Sequence, residues 1–393
     1  MGEEEMSRLT ARALACSLAG FLMLPAVSHA DPVEDLMKAQ FGSVVTDQTI
    51  QDAFARMARP ISAEVRAKAL ECYKANSCDT GTGGAVSVAY ADGFGENVWR
   101  QVTKMEFILQ ALTYPEIGKI QYVSARGDVS KAISDMNAYI AQGVNVIVIY
   151  PDAGEAMLPV VQEATEAGIK VVLHNGPAIG TSGKDYLTNV KEDICGLGVA
   201  LVDAVKEGNP EAKNVVELGG TPGNTLSSTW QGCADPETDK KGLKVLTKLD
   251  TNWTQEGTFS AVSAALAQNG NVDGWMYEYA DGFRGAIRAY QTAGKPLDTV
   301  AALRTDEQGI FCDWEDAKNP NFKLFYSSAY NITTRIALTA ALRSIAGEKI
   351  PADLQIPFSL KPVKKGLCNR DLPMETSVST TVDAEMLKAM FKN

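Results

Sequence analysis

"GVNVIVIYPDAGEAMLPVVQEATEAGIKVVLHN", residues 143–175, decides the fold. Its opening, Val144 to Tyr150, is apolar except for Asn145, a run that suits a strand covered on both faces. Pro151 and Asp152 turn the chain into "GEAMLPVVQEATEAG". "GIKVVLHN" then begins as a second buried strand and stops abruptly on His174 and Asn175, with Gly176 next. A strand, a crossover and another strand at this spacing form the unit of a parallel sheet. Ligands of open parallel sheets bind beyond the carboxyl ends of the strands, so a strand that ends on polar groups there is expected to face a site.

The same alternation extends both ways. Upstream, "AVSVAYA" reads as a strand, "ENVWRQVTKMEFILQAL" as a helix, "KIQYVSA" as a strand and "DVSKAISDMNAYIAQG" as a helix. In the last of these Val129, Ala132, Ile133, Met136, Tyr139 and Ile140 share one face, Asp128 is the N-cap and Gly143 the stop. After Asp193 the pattern restarts: helix "GLGVALVDAVKEG", strand "NVVELGG", a helix from Leu226, strand "LKVLTKLD", helix "GTFSAVSAALAQNG", strand "VDGWMYEY", helix "GFRGAIRAYQTAG" and strand "TVAALR". Two consecutive sets of units predict an α/β chain with two doubly wound parallel-sheet lobes. Residues 31–82 differ. "DQTIQDAFARMAR" and "SAEVRAKALECYKAN" have helical spacing and predict an extra N-terminal helical segment, set off by "DTGTGG".

A chain of 393 residues with 45% hydrophobic content can fill two cores. Its net charge of −11, without any basic run, excludes a phosphate-backbone partner, so no nucleic acid is expected. "MSRLTARALACSLAGFLMLPAVSHADP" carries Arg8 and Arg12, an apolar run, and Ser28 and Ala30 at the spacing of a cleavage site. Residues 1–30 are therefore expected to be a cleaved signal peptide for export, with a soluble monomer beginning at Asp31. Beyond Cys16, six cysteines remain, and an even number in an exported chain points to disulfides. Six allow 15 pairings. Cys72 with Cys78 is the close pair; Cys195 with Cys233 and Cys312 with Cys368 are the assignment tried for the rest. With no Cys-x-x-Cys and one histidine beyond residue 30, no metal is expected.

Catalytic signatures are sparse. There is no Gly-x-Ser-x-Gly elbow, "GTSGKD" lacks the glycine and hydroxyl residue of a phosphate loop, and "LGGTPGNT" lacks dinucleotide spacing. His174 has no partner legible in sequence that would make it a base. No cofactor and no enzyme activity are expected. Trp99, Trp253, Glu278 and Tyr279 instead lie at strand ends or in the turns just after them, where two facing lobes would bring them to one cleft. Aromatic faces with amide and carboxylate groups suit a polyhydroxylated ring.

The 143–175 stretch closely resembles the ribose-type family of periplasmic sugar-binding proteins, the type I periplasmic binding proteins of ABC importers. "NVWRQV", "VVELGGTPGNT", "NWTQEGTFSAVSAALAQNGNVDGWMYEYADGFRGAIRAYQTAGK" and "SSAYNITTRIALTAALRSIAGEKIP" resemble it in order and spacing, over about residues 85 to 393. The resemblance implies a three-strand hinge, a first lobe of residues 83–189 plus 330–360 and a second of 190–329 plus 361–393. By the family's pattern Asn97 and Trp99 are its asparagine and first stacking aromatic, and Trp253 is the second. Its hydroxyl-binding aspartate falls on Asn175, the adjacent arginine on Gly176, which leaves room beside it, and a further arginine near Ser227. Its later asparagine falls on Tyr279 and its last aspartate near Arg304. Trp99 and Trp253 are expected to sandwich a ligand ring, Asn97, Asn175 and Glu278 to take its rim, and Arg304 to be available to an anionic group. Neutral sugar and sugar acid both remain open. The implied function is capture of a sugar or sugar derivative for delivery to an ABC permease; a chemotaxis or sensor-kinase receptor module and a secreted α/β enzyme are the alternatives.

Overall fold

A computed structural model describes residues 31–391 apart from 96, 177 and 271; the expected signal peptide lies outside the described residues. The chain begins with three helices, α1 Pro32–Phe41, α2 Gln48–Met57 and α3 Ala63–Lys74. Asp47 caps α2 by accepting from the Thr49 and Ile50 amides, and Ser62 caps α3 through the Val65 amide. Along α2 the spacing of Ile50, Ala53, Phe54 and Met57 buries one face. A short strand, β1 Ser77–Asp79, follows and pairs antiparallel with the outer edge of the first lobe's sheet. This strand was not expected in a segment read as helical throughout. It covers an otherwise open sheet edge, and the Cys72–Cys78 disulfide joins it to the end of α3.

The first lobe continues with β2 Val86–Asp92, α4 Val98–Ala111, β3 Ile117–Ser124, α5 Val129–Gln142, β4 Val146–Tyr150, a short turn leading into α6 Leu158–Glu166, β5 Lys170–His174 and β6 Thr188–Glu192. Then come α7 Ile194–Gly208, β7 Asn214–Gly219, α8 Thr225–Lys240, β8 Lys244–Asp250, α9 Gln255–Gln268, β9 Gly274–Tyr277, α10 Phe283–Thr292, β10 Val300–Leu303, α11 Gln308–Ala317 and β11 Lys323–Tyr326, followed by α12 Thr333–Ile345, β12 Asp353–Ile356, β13 Lys361–Pro362 and α13 Ala384–Met390. Two sheets result, in the orders β1-β3-β2-β4-β5-β6-β12 and β13-β11-β10-β9-β7-β8, parallel except for β1 and β13. Helix α5 shows the local logic. Asp128 accepts from the Lys131 amide at one end, and Gly143 at φ 64° closes the other in the left-handed conformation. Met136 and Tyr139 are buried, and burial of the Met136 side chain is worth about 1.5–3 kcal/mol. Val129, placed on the same face from sequence, is 42% exposed, because the first turn overhangs the core.

Two lobe boundaries differ from expectation. The 189/190 division falls inside β6, which belongs wholly to the first sheet. The tail assigned to the second lobe divides: Cys368 is bonded to Cys312 in the second, but Val382, Met386 and Leu387 are part of the first-lobe core, because α13 has an apolar face that packs near α3. All three expected disulfides form, including Cys195–Cys233.

Candidate ligand-binding cleft

Backbone strain concentrates at the carboxyl ends of the strands. Among the described residues, non-glycine left-handed conformations occur at Arg126 after β3, Asn175 after β5, Asn252 and Trp253 after β8, Thr305 after β10 and Tyr330 after β11, with Lys318 the exception at the end of α11. Such conformations cost about 1–3 kcal/mol each and persist only where surroundings hold them. Between the lobes at this end lies a cavity of about 420 Å³, bounded by Asp152 and Glu155 on the first lobe and by Thr221 and Asn224 on the second; none of the site residues expected from the sequence lines it, and the strand ends that carry those residues form two walls.

The first-lobe wall is aromatic over a buried charge. Trp99, in the first turn of α4, donates its indole N–H to the Ala329 carbonyl (2.7 Å) and meets Tyr150 edge-on at 6.2 Å. The Arg100 guanidinium lies 3.6 Å from the centre of the Tyr150 ring and pairs with Asp92 (2.9 Å) and Asp152 (2.7 Å). Burial works against the Arg100 charge, but the two carboxylates outweigh it and its pKa rises. Burial pushes the Tyr150 phenol up to about 12, opposed by Arg100 and Arg304. Asn97 caps α4, its side-chain oxygen accepting from the Arg100 amide at 2.9 Å. Asn175 donates its amide N–H to the Val190 carbonyl, while its Oδ1 is buried with no hydrogen-bond partner among the described residues. The space beside Gly176 is not open as expected: a Cβ there would lie 2.7 Å from the Pro151 ring, which packs against it. His174 is a core residue, its ring between Tyr90 and Tyr150 and its Nδ1 3.1 Å from Thr333 Oγ1; burial, then Arg100, holds it well below its ordinary pKa.

The second-lobe wall is organised around an anion. Glu278, just beyond β9, accepts from the Trp253 indole (2.8 Å), the Ser227 hydroxyl (2.7 Å) and the Trp230 indole. Burial raises its pKa and these three donors partly offset the rise. Trp253 packs against Gly220 so closely that a Cβ on Gly220 would sit 2.1 Å from the indole. Ser227 also accepts from the Gly220 amide (2.9 Å), so its hydroxyl is used on both sides. Ser227 and Glu278, expected as ligand contacts, are buried and bonded to each other, and Glu278 also holds the Trp253 and Trp230 indoles. Tyr279 is half-buried and edge-on to Tyr277 at 6.4 Å; burial, then Glu307 and Asp281, raises its phenol well above the ordinary value.

Arg304 joins the walls. Its Nε and Nη2 grip the Glu192 carboxylate at 2.9 and 2.7 Å, linking the turn after β10 to the end of β6. It was expected to be available to an anionic ligand, but this bidentate pair occupies its fork. Among the residues brought together, Tyr150, Arg100, Glu192, Gly220 and Trp230 were missed in the sequence. Tyr150 closes a strand just as Tyr277 and Glu278 do, and the same strand-end rule would have found it; Glu192 needed the three-dimensional crossing.

Residues 89–348 match the family described as periplasmic binding protein domain. The chain belongs to that family. Its members are non-enzymatic substrate-binding proteins, and among the described residues no helix is long and apolar enough to cross a membrane. The chain is 26% identical over 202 residues to a xylitol-binding protein of Mycolicibacterium smegmatis, a match covering 50% of this chain and 57% of that one. It is 27% identical over 259 residues to the D-xylose-binding periplasmic protein of Escherichia coli, covering 63% and 75%. Thus the match spans less than two thirds of the first of these relatives. In fold it is similar to the periplasmic binding protein component of an arabinose ABC transporter from Shewanella sp. ANA-3, solved with L-arabinofuranose, at a TM-score of 0.63 and 19% identity over 70% of this chain and 92% of that one.

Proposed function

We propose that this chain is an exported, monomeric sugar-binding protein of an ABC importer, which traps a sugar or sugar derivative between its lobes in the periplasm and delivers it to a permease. Trp99 and Tyr150 from one lobe and Trp253 from the other offer apolar faces for the C–H sides of a ring, with Asn97, Asn175 and Tyr279 at the rim. Binding proceeds by hinge closure, since only the closed form contacts the ligand from both lobes. The observation that carries this reading is that Arg100, Arg304, Glu192 and Glu278 are all engaged by partners within the protein, while the buried Asn175 Oδ1 has no partner among the described residues and can accept from a hydroxyl. The Arg304–Glu192 pair favours a neutral sugar or polyol over a sugar acid, whose carboxylate would have to displace Glu192. Mass spectrometry of small molecules released by mild denaturation, backed by thermal-shift screening of pentoses, polyols and sugar acids, tests it. A neutral polyhydroxylated ligand is expected; stabilisation by sugar acids alone, or by none of the panel, overturns it.

A further inference from the structure

The lobes are joined by three crossings, between β6 and α7, between β11 and α12, and between β12 and β13. The chain makes a fourth. Beyond Cys368 its backbone is bonded to the second lobe, although Leu372 already packs against the first-lobe core and Ser377 Oγ donates to Asn331 Oδ1 (2.9 Å): the Gly309 and Gln308 amides donate to the Met374 and Thr376 carbonyls (2.6 and 2.8 Å), and Val378 donates to the Asp306 carbonyl (3.0 Å). Two residues later it is on the first lobe. Thr380 Oγ1, Thr381 N and Thr381 Oγ1 all donate to the fully buried Glu106 carboxylate of α4, at 2.7, 2.8 and 2.6 Å. Ser379 is the crossing residue. Its amide reaches Asp306 Oδ2 on the second lobe (3.0 Å), and its hydroxyl lies 2.9 Å from Ser328 Oγ in the β11–α12 crossing.

The C-terminal end of α1 holds three of these four crossings together. Gln40, 1% exposed, donates to the Ser379 carbonyl and accepts from the Ser328 hydroxyl. Lys361 of β13 donates to the Ala39 carbonyl at 2.6 Å and approaches the Lys38 carbonyl at 3.4 Å, placing a cation on the negative end of the helix. Phe41 stacks on Tyr330 at 6.1 Å.

We propose that α1 is a splint on the hinge, which together with the fourth crossing at Ser379 restricts how far the ligand-free lobes open. Hinges work because a few residues absorb large φ/ψ changes. Here the candidate residues are tied sideways to one another, and the residue between Val378 and Thr380 can span at most about 3.6 Å per step. Wide opening must therefore break the Gln40 bridge or strip donors from the buried Glu106 carboxylate, and charge-assisted bonds of that kind are costly to leave unmade. A cleft kept near its closed arrangement loses less of its apparent affinity to a scarce binding-competent state. The inference rests on the proposed two-lobe closure but on no particular ligand.

Small-angle scattering of ligand-free protein tests it, comparing wild type with the Gln40→Ala/Lys361→Ala double variant. Wild type should give a radius of gyration near the ~21 Å of a compact chain of this length, and the variant should be larger by about 1 Å as the lobes swing apart. An unchanged radius in a variant with native circular dichroism overturns the splint. A second measurement needs no substitution. In wild type, the Ser379 and Thr381 amides should exchange hydrogen as slowly as those of β4; exchange at the rate of an exposed loop shows that the crossing opens freely and overturns the proposal. Neither measurement contains a sugar, so the splint can fail while the binding reading stands, or hold while no sugar binds.

Discussion

The two walls of the cleft solve one problem with opposite charges. On the first lobe a buried cation, Arg100, supports Tyr150 beside Trp99 and is neutralised by two carboxylates. On the second a buried anion, Glu278, holds Trp253 and is satisfied by three neutral donors. In both, charge is spent on fixing an aromatic ring rather than on meeting a ligand. The walls differ in what remains when the central group is removed: two unpaired carboxylates on one side, neutral N–H and O–H groups on the other.

That difference sets the order of expected effects. Arg100→Ala leaves Asp92 and Asp152 without their cation and should cost about 3–5 kcal/mol, whereas Glu278→Gln keeps an oxygen for Ser227 and Trp253, leaves the Trp230 indole N–H facing an amide NH2, and should cost about 1–3 kcal/mol. Urea denaturation of the two variants compares them directly, and equal losses would erase the distinction between the walls. Gly220→Ala should cost about 1–3 kcal/mol by overpacking and should also shift Trp253 fluorescence, since the new methyl occupies the place of the indole. An unshifted spectrum would mean that the ring is not seated there.

The smallest effect concerns pH near the hinge. Burial raises Asp306 to about 7, with hydrogen bonds from Ser379 pulling the other way. An acid whose folded pKa exceeds its unfolded value holds its proton better when folded. Its contribution to stability is present at low pH and is lost as pH climbs from the ordinary 3.8 through about 7. Glu307, raised to about 8, acts in the same sense. Melting temperature should thus fall less between about pH 5 and pH 8 in Asp306→Asn than in wild type; parallel profiles would rule out this titration.

Much of the fold was legible because buried parallel strands leave long apolar runs and their crossovers keep helical period, as in residues 143–175. The walls were half legible. Trp99, Trp253 and Asn175 follow from the strand-end rule, but whether a polar group faces ligand or neighbour depends on packing partners far apart in sequence. Ser227 and Glu278 are 51 residues apart, and Arg304 and Glu192 are 112 apart. The returning tail escaped for a related reason: α13 is seven residues long, too short to announce which core it joins.

Stacking between the two walls is best tested by titration calorimetry of a neutral sugar or polyol drawn from a panel that includes D-xylose, xylitol and L-arabinose, comparing wild type with Trp253→Ala. Saturable binding by wild type that weakens at least tenfold in the variant, about 1.4 kcal/mol, is the predicted result. Equal affinity in the two proteins, with the variant's fold intact, would contradict it.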